Sequence, residues 1–157
     1  MEGVSRETSV TSSSGKNDHE PTRLDAFRGG VARALRERLA EADDDRELGE
    51  ALDRWELSLF QEAPFRAEQL RSALESLLGA EDGQWAATLR VAVLLGEAGR
   101  ERKECLNTLR GGDPGDLVRR ALVETITRGD RAGLIAELDE ALLGIRPRPT
   151  RLEALAS

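Results

Sequence analysis

Histidine, cysteine, lysine and tyrosine are nearly missing from this 157-residue chain, and each gap removes a class of chemistry. The only histidine is His19 and the only cysteine is Cys105. Zinc sites draw on several Cys or His ligands, so none can be assembled here. A Ser-His-Asp relay needs a histidine inside the fold, and a cysteine nucleophile needs one as its base. Cys105 therefore reads as a small buried apolar residue. A single cysteine also excludes an internal disulfide. No Gly-x-x-x-x-Gly-Lys-Ser/Thr run occurs. Gly111-Gly112-Asp113-Pro114-Gly115 has no following lysine and puts an acidic cap where a phosphate would sit. Asp43-Asp44-Asp45 lacks the alternating ligands and terminal glutamate of a calcium loop and reads as a helix break. Carboxylates are too abundant to single out a pair. No catalytic residue, metal or cofactor is expected, and the chain reads as a non-enzyme.

Long apolar runs are absent too. Nothing approaches the ~18–20 residues of a spanning helix, and Met1–Glu20 holds only Val4 and Val10 as sizeable apolar residues. Neither a membrane span nor a secretory signal is expected, and the expected compartment is the cytoplasm. Aromatics are limited to Phe27, Phe60, Phe65, Trp55 and Trp85. Strands favour β-branched and aromatic side chains, whereas Ala, Leu, Glu and Arg dominate here and favour helix.

The net charge of −7 disfavours general binding to nucleic acid or anionic membranes. The charge is lopsided. Glu37 to Asp82 carries fourteen Asp and Glu against five Arg, net −9, while Arg100 to Arg131 carries eight basic residues against six acidic, net +2. Such asymmetry either orients a partner or promotes head-to-tail association; otherwise it is a solvated helical surface.

Along the chain, residues 1–21 form a Ser/Thr-rich tail too polar to offset the entropy of ordering it. Residues 22–145 read as one helical domain. A first helix over Thr22–Ala42 carries the stripe Leu24, Phe27, Val31, Leu35 and Leu39, with Gly29-Gly30 marking a kink or a close helix approach. The second, capped by the Asp triplet, carries Leu48, Leu52, Trp55, Leu59 and Phe60. Pro64 opens a third with Leu70, Ala73, Leu74 and Leu77. Asp82 caps a fourth, Trp85–Ala98, which is apolar nearly all round and so belongs at the centre of the core, Trp85 included. Arg100–Arg110 follows with Leu106 and Leu109 inward. Gly111-Gly112-Asp113-Pro114 and Gly129-Asp130 each end one helix and cap the next, giving a sixth to Arg128 and a seventh to Leu143. Residues 146–157 form a basic, Pro-containing tail, with a short helix at Thr150–Ala156.

Three helix pairs thus open at Asp44, Asp82 and Asp113, 38 and 31 residues apart, within the range of two-helix repeats. Val118-Arg119-Arg120-Ala121 and Leu95-Gly96-Glu97-Ala98-Gly99 resemble the start and end motifs of the short bacterial HEAT-like repeats over roughly Asp82–Gly144. Neither pair holds both motifs. The resemblance implies a scaffold for protein contacts. The expected fold is all-α, with about seven antiparallel helices as a short HEAT-like α-solenoid or an irregular helical bundle.

The first functional reading is a non-catalytic helical protein–protein interaction module, docking another protein on the faces around Arg66–Glu75, Arg100–Arg110 and Arg131–Glu140. Homo-oligomerisation stays open. The alternative is a small nucleic-acid-associated regulator, antitoxin- or repressor-like. The candidate partner-binding residues are Trp55, Arg100, Arg102, Lys103, Arg110, Arg119, Arg120, Arg128 and Arg131. The regulator reading requires the basic eight on one face.

Overall fold

The structure, a computed structural model, describes residues 26–41 and 44–152. Among these the chain is all-α. Seven helices follow in order: α1 (Ala26–Glu41), α2 (Arg46–Ser58), α3 (Phe65–Leu74), α4 (Gly83–Leu95), α5 (Gly99–Gly111), α6 (Gly115–Arg128) and α7 (Arg131–Leu142). A π-turn at Glu75–Gly79 and a 3₁₀ turn at Ala80–Asp82 lead from α3 to α4. The predicted tail 1–21 and the last residues of the predicted C-terminal helix lie outside the described residues.

Aspartate and glycine set the helix boundaries. Asp45 accepts from the Leu48 N–H at 3.0 Å to open α2, and Asp130 from the Gly133 N–H at 2.8 Å to open α7. Asp113 accepts from the Gly115 N–H at 2.9 Å to open α6. Each bond satisfies one of the N–H groups that a helix start leaves unmet. Gly129 closes α6 in the left-handed region, φ +72°. Asp82 departs from the pattern: it makes no cap bond, because Arg90 takes its carboxylate.

The centre of the core is α4, which touches α3, α5, α6 and α7. Val91 to Gly96 are all buried. Around them Leu70, Leu77, Leu78, Val118, Leu134 and Leu138 are closed off from solvent, each burial contributing roughly 1.5–3 kcal/mol. The pairs α2–α3, α4–α5 and α6–α7 each pack together. The first and third pairs also meet, α3 on α6 and Arg131 of α7 on Asp45, so the helices close around α4. The α4–α5 turn is tight: a Cβ on Gly96 would lie 2.7 Å from the Arg102 backbone nitrogen.

Several expectations are corrected. Trp85 is not core but 56% exposed, because α4 is enclosed on all sides only in its second half, and Gln84 and Trp85 in its first turn face solvent. Leu59 and Phe60 do not continue the α2 stripe. The helix stops at Ser58, whose hydroxyl donates to the Trp55 carbonyl at 2.6 Å, and both residues turn outward. Nothing approaches Gly29 or Gly30 within 4 Å of a Cβ position, and α1 runs through them. Arg146 to Leu152 do not hang free as a tail. Pro149 is buried, Arg148 pairs with Glu97 at 3.0 Å, and the Leu152 N–H donates to Glu124 at 3.2 Å. Glu97 at the α4–α5 turn pairs with both Arg148 and Arg151 of this strap.

Candidate functional site

One charged side chain interrupts the apolar run of α4, and it is the most enclosed ion described. Arg90 is 3% exposed, yet each of its N–H groups has a partner. Its Nε donates to Asp139 Oδ1 at 2.7 Å, Nη1 to the carbonyls of Leu78 and Gly79 at 2.8 and 3.0 Å, and Nη2 to Asp139 Oδ2 and to Asp82. The fork binds Asp139 with two parallel bonds, the strongest arrangement open to this pair. The bond to Asp139 holds the guanidinium pKa above its ordinary value, against the opposing effect of burial. The group is used up, tying α7 to α4 and to the turn before α4. It is a structural junction.

The sequence-predicted basic residues differ in how far they are already committed to partners within the fold. Arg131 is largely covered, donating to both Asp45 oxygens and to Glu47. Burial would raise the Asp45 pKa, but the bonds from Arg131 and the Leu48 N–H outweigh it and hold it below the usual carboxylate range. Arg128 faces Glu137 at 3.6 Å and donates to the Thr150 carbonyl. Arg102 donates to the Gly96 and Glu97 carbonyls, closing the end of α4. Arg119 and Arg120 share Asp116, and Arg100 pairs with Glu104 along an exposed helix face. Lys103 is exposed. Trp55 is half-buried and packs on the core. Of the nine, only Arg110 lies in an apolar concavity without a carboxylate partner.

That concavity, of about 270 Å³, lies between α3, α4 and α5. Arg71 and Leu74 come from α3, Trp85 and Thr88 from α4, and Leu109 and Arg110 from α5. The Arg110 guanidinium lies 5.4 Å from the Trp85 ring centroid, a cation–π contact. Arg71 Nε donates to the Leu109 carbonyl at 3.1 Å, pinning the end of α5 against α3. Among the described residues neither Arg71 nor Arg110 forms an ion pair. A wider hollow of about 480 Å³ beside α2 is lined by Glu47, Glu50 and Glu75, but its Arg54 and Arg131 are already bound to Glu50 and Glu47. The sequence reading places Trp85 in the core and covers Arg71 only as part of the Arg66–Glu75 face. The available signal was Trp85 standing at the very start of α4, where a helix end is least enclosed.

Among the described residues no group of three or more His, Cys, Asp and Glu is arranged to hold a metal. None of the described helices is long and apolar enough to cross a membrane. Burial pushes the Cys105 thiol pKa up, although Arg120 opposes the shift; a nucleophilic cysteine needs the reverse. Glu101 is held below its ordinary value by the N–H groups of Glu97 and Ala98, a helix-start role. No protein-family model, curated protein or solved structure matches the chain.

Proposed function

We propose that this chain is a non-catalytic helical protein–protein interaction module that holds its partner at the concavity between α3, α4 and α5. One observation carries the reading: Trp85 stands half out of the fold, braced by Arg110 and flanked by Arg71, with no carboxylate among the described residues to neutralise either cation. Tryptophan and arginine are the side chains that most often dominate binding energy at interfaces. An apolar floor with a cationic rim suits an apolar side chain that has a carboxylate beside it. The raised Cys105 pKa and the fully committed Arg90 supply no reactive group, which favours binding over catalysis. The sequence motifs that resemble HEAT-like repeats would imply the same kind of role. The nucleic-acid alternative has weaker support, since Arg119, Arg128 and Arg131 are engaged with carboxylates.

The test compares the full chain with Trp85→Ala and Arg110→Glu as baits in extracts of the native host, followed by titration calorimetry on any protein recovered. The expected result is a reproducible partner whose affinity falls at least tenfold with either substitution. Recovery of nothing, or equal affinity for all three baits, contradicts the proposal.

A further inference from the structure

We infer that the occupant of the Trp85 concavity is the α2–α3 tip of a second copy of this chain, so that two molecules join as a reciprocal pair. The inference rests on reading the concavity as a docking site and adds the identity of what enters it. The tip carries Leu57, Leu59, Phe60 and Phe65, which are 51, 50, 82 and 63% exposed. Scattered apolar residues on a surface are ordinary, but four large ones within nine residues of chain form a patch that implies a covering surface.

Charge selects which surface covers it. The acids around the tip, Glu56 and Glu62 above all, are exposed and form no ion pair among the described residues, whereas the neighbouring basic residues are spent, Arg54 on Glu50 and Arg66 on Asp113. The tip is therefore apolar with an unneutralised acidic rim. The concavity is its complement: an apolar floor with Trp85, and the unpaired guanidinium groups of Arg71 and Arg110 at the rim. The two features lie close together. Phe65 opens α3, and Arg71 and Leu74 lie on the same helix about 9 and 14 Å further along its axis. Two complementary patches so near each other on one molecule let a two-fold pair make both contacts at once, which closes the assembly instead of propagating it. The patch is small, so the association belongs to the weak, transient class.

The experiment is sedimentation of the full chain from low micromolar to near-millimolar concentration, with the folded state of every variant checked by circular dichroism. The expected result is a reversible monomer–dimer equilibrium. Truncating an aromatic hot spot costs about 2 kcal/mol per contact and a two-fold pair makes each contact twice, so Trp85→Ala and Phe60→Ser should each weaken the equilibrium by nearly a thousandfold. Arg110→Glu should abolish it, and adding Glu62→Arg to Arg110→Glu should restore part of it, since the exchanged charges meet across the pair. A chain that stays monomeric throughout overturns the inference, as does a dimer unaffected by Trp85→Ala. The synthetic segment Leu59–Phe65, titrated onto the chain, separates the two levels of the reading. A monomeric chain whose host partner is still lost with Trp85→Ala, and which ignores this peptide, refutes the second copy while leaving the docking site standing.

Discussion

Two sides of α4 present arginine in opposite circumstances. On one side Arg90 is sealed between α4, α7 and the turn after α3, and its N–H groups meet two aspartates and two carbonyls. On the other, Arg110 lies over an exposed Trp85 and Arg71 reaches only a backbone carbonyl. The tip leading into α3 has the same open character: Leu57, Leu59, Phe60 and Phe65 are exposed, and Glu56 and Glu62 form no ion pair among the described residues. A fold holds together where its polar groups are saturated. Where apolar surface stays bare and cations stay unpaired, the same energetics are left for another molecule to complete.

The sharpest way to break this contrast is Arg90→Ala. It strands the Leu78 and Gly79 carbonyls, while Asp139 and Asp82, 41% and 61% exposed, keep access to water, so a loss of about 2–3 kcal/mol is expected from urea unfolding. A loss under about 1 kcal/mol would mean that water replaces the side chain and the junction is not structural. Next is Asp45→Asn, which removes the charge that Arg131 grips across the first and third pairs. The folded pKa of Asp45 is depressed, so its contribution is present above the unfolded value of roughly 3.9 and is lost as pH falls through the lower folded value. The variant should be less stable by about 1–2 kcal/mol at neutral pH. The difference should vanish on acidification below the folded pKa; a difference independent of pH would remove the ion pair from the explanation.

Trp85→Ala sharpens the contrast from the other side. In dilute solution its urea midpoint should correspond to a loss of less than about 1 kcal/mol, although a core tryptophan would cost about 3–5. Phe60→Ser, at the most exposed large side chain of the tip, should change stability by no more than about 0.5 kcal/mol.

Much of this fold was legible because its signals are local. Asp45, Asp113 and Asp130 bond to N–H groups two or three residues ahead, and Gly129 supplies a backbone angle that few other residues adopt. Arg90 was the charged interruption in an apolar helix, but its meaning depends on Asp139, 49 residues away in sequence. Asp82 looked like a cap for the same reason, since its true partner becomes visible only when α4 is built. The apolar run of α4 points Trp85 inward only if the helix is enclosed along its whole length, and how far that enclosure extends is a tertiary fact. The end of α2 at Ser58 carries no Gly or Pro to announce it, so the outward turn of Leu59 and Phe60 was hidden. Within the concavity Arg110 and the Arg66–Glu75 face that holds Arg71 are legible in sequence; the place of Trp85 between them becomes visible only when three helices meet.

Acrylamide quenching of the single tryptophan left in Trp55→Phe reads the open side of α4 directly. The predicted result is strong quenching of Trp85 in dilute solution that falls as protein concentration rises or a partner is added. A Trp85 already shielded in the dilute monomer would contradict it, since the ring would then belong to the interior and nothing would remain for a second molecule to cover.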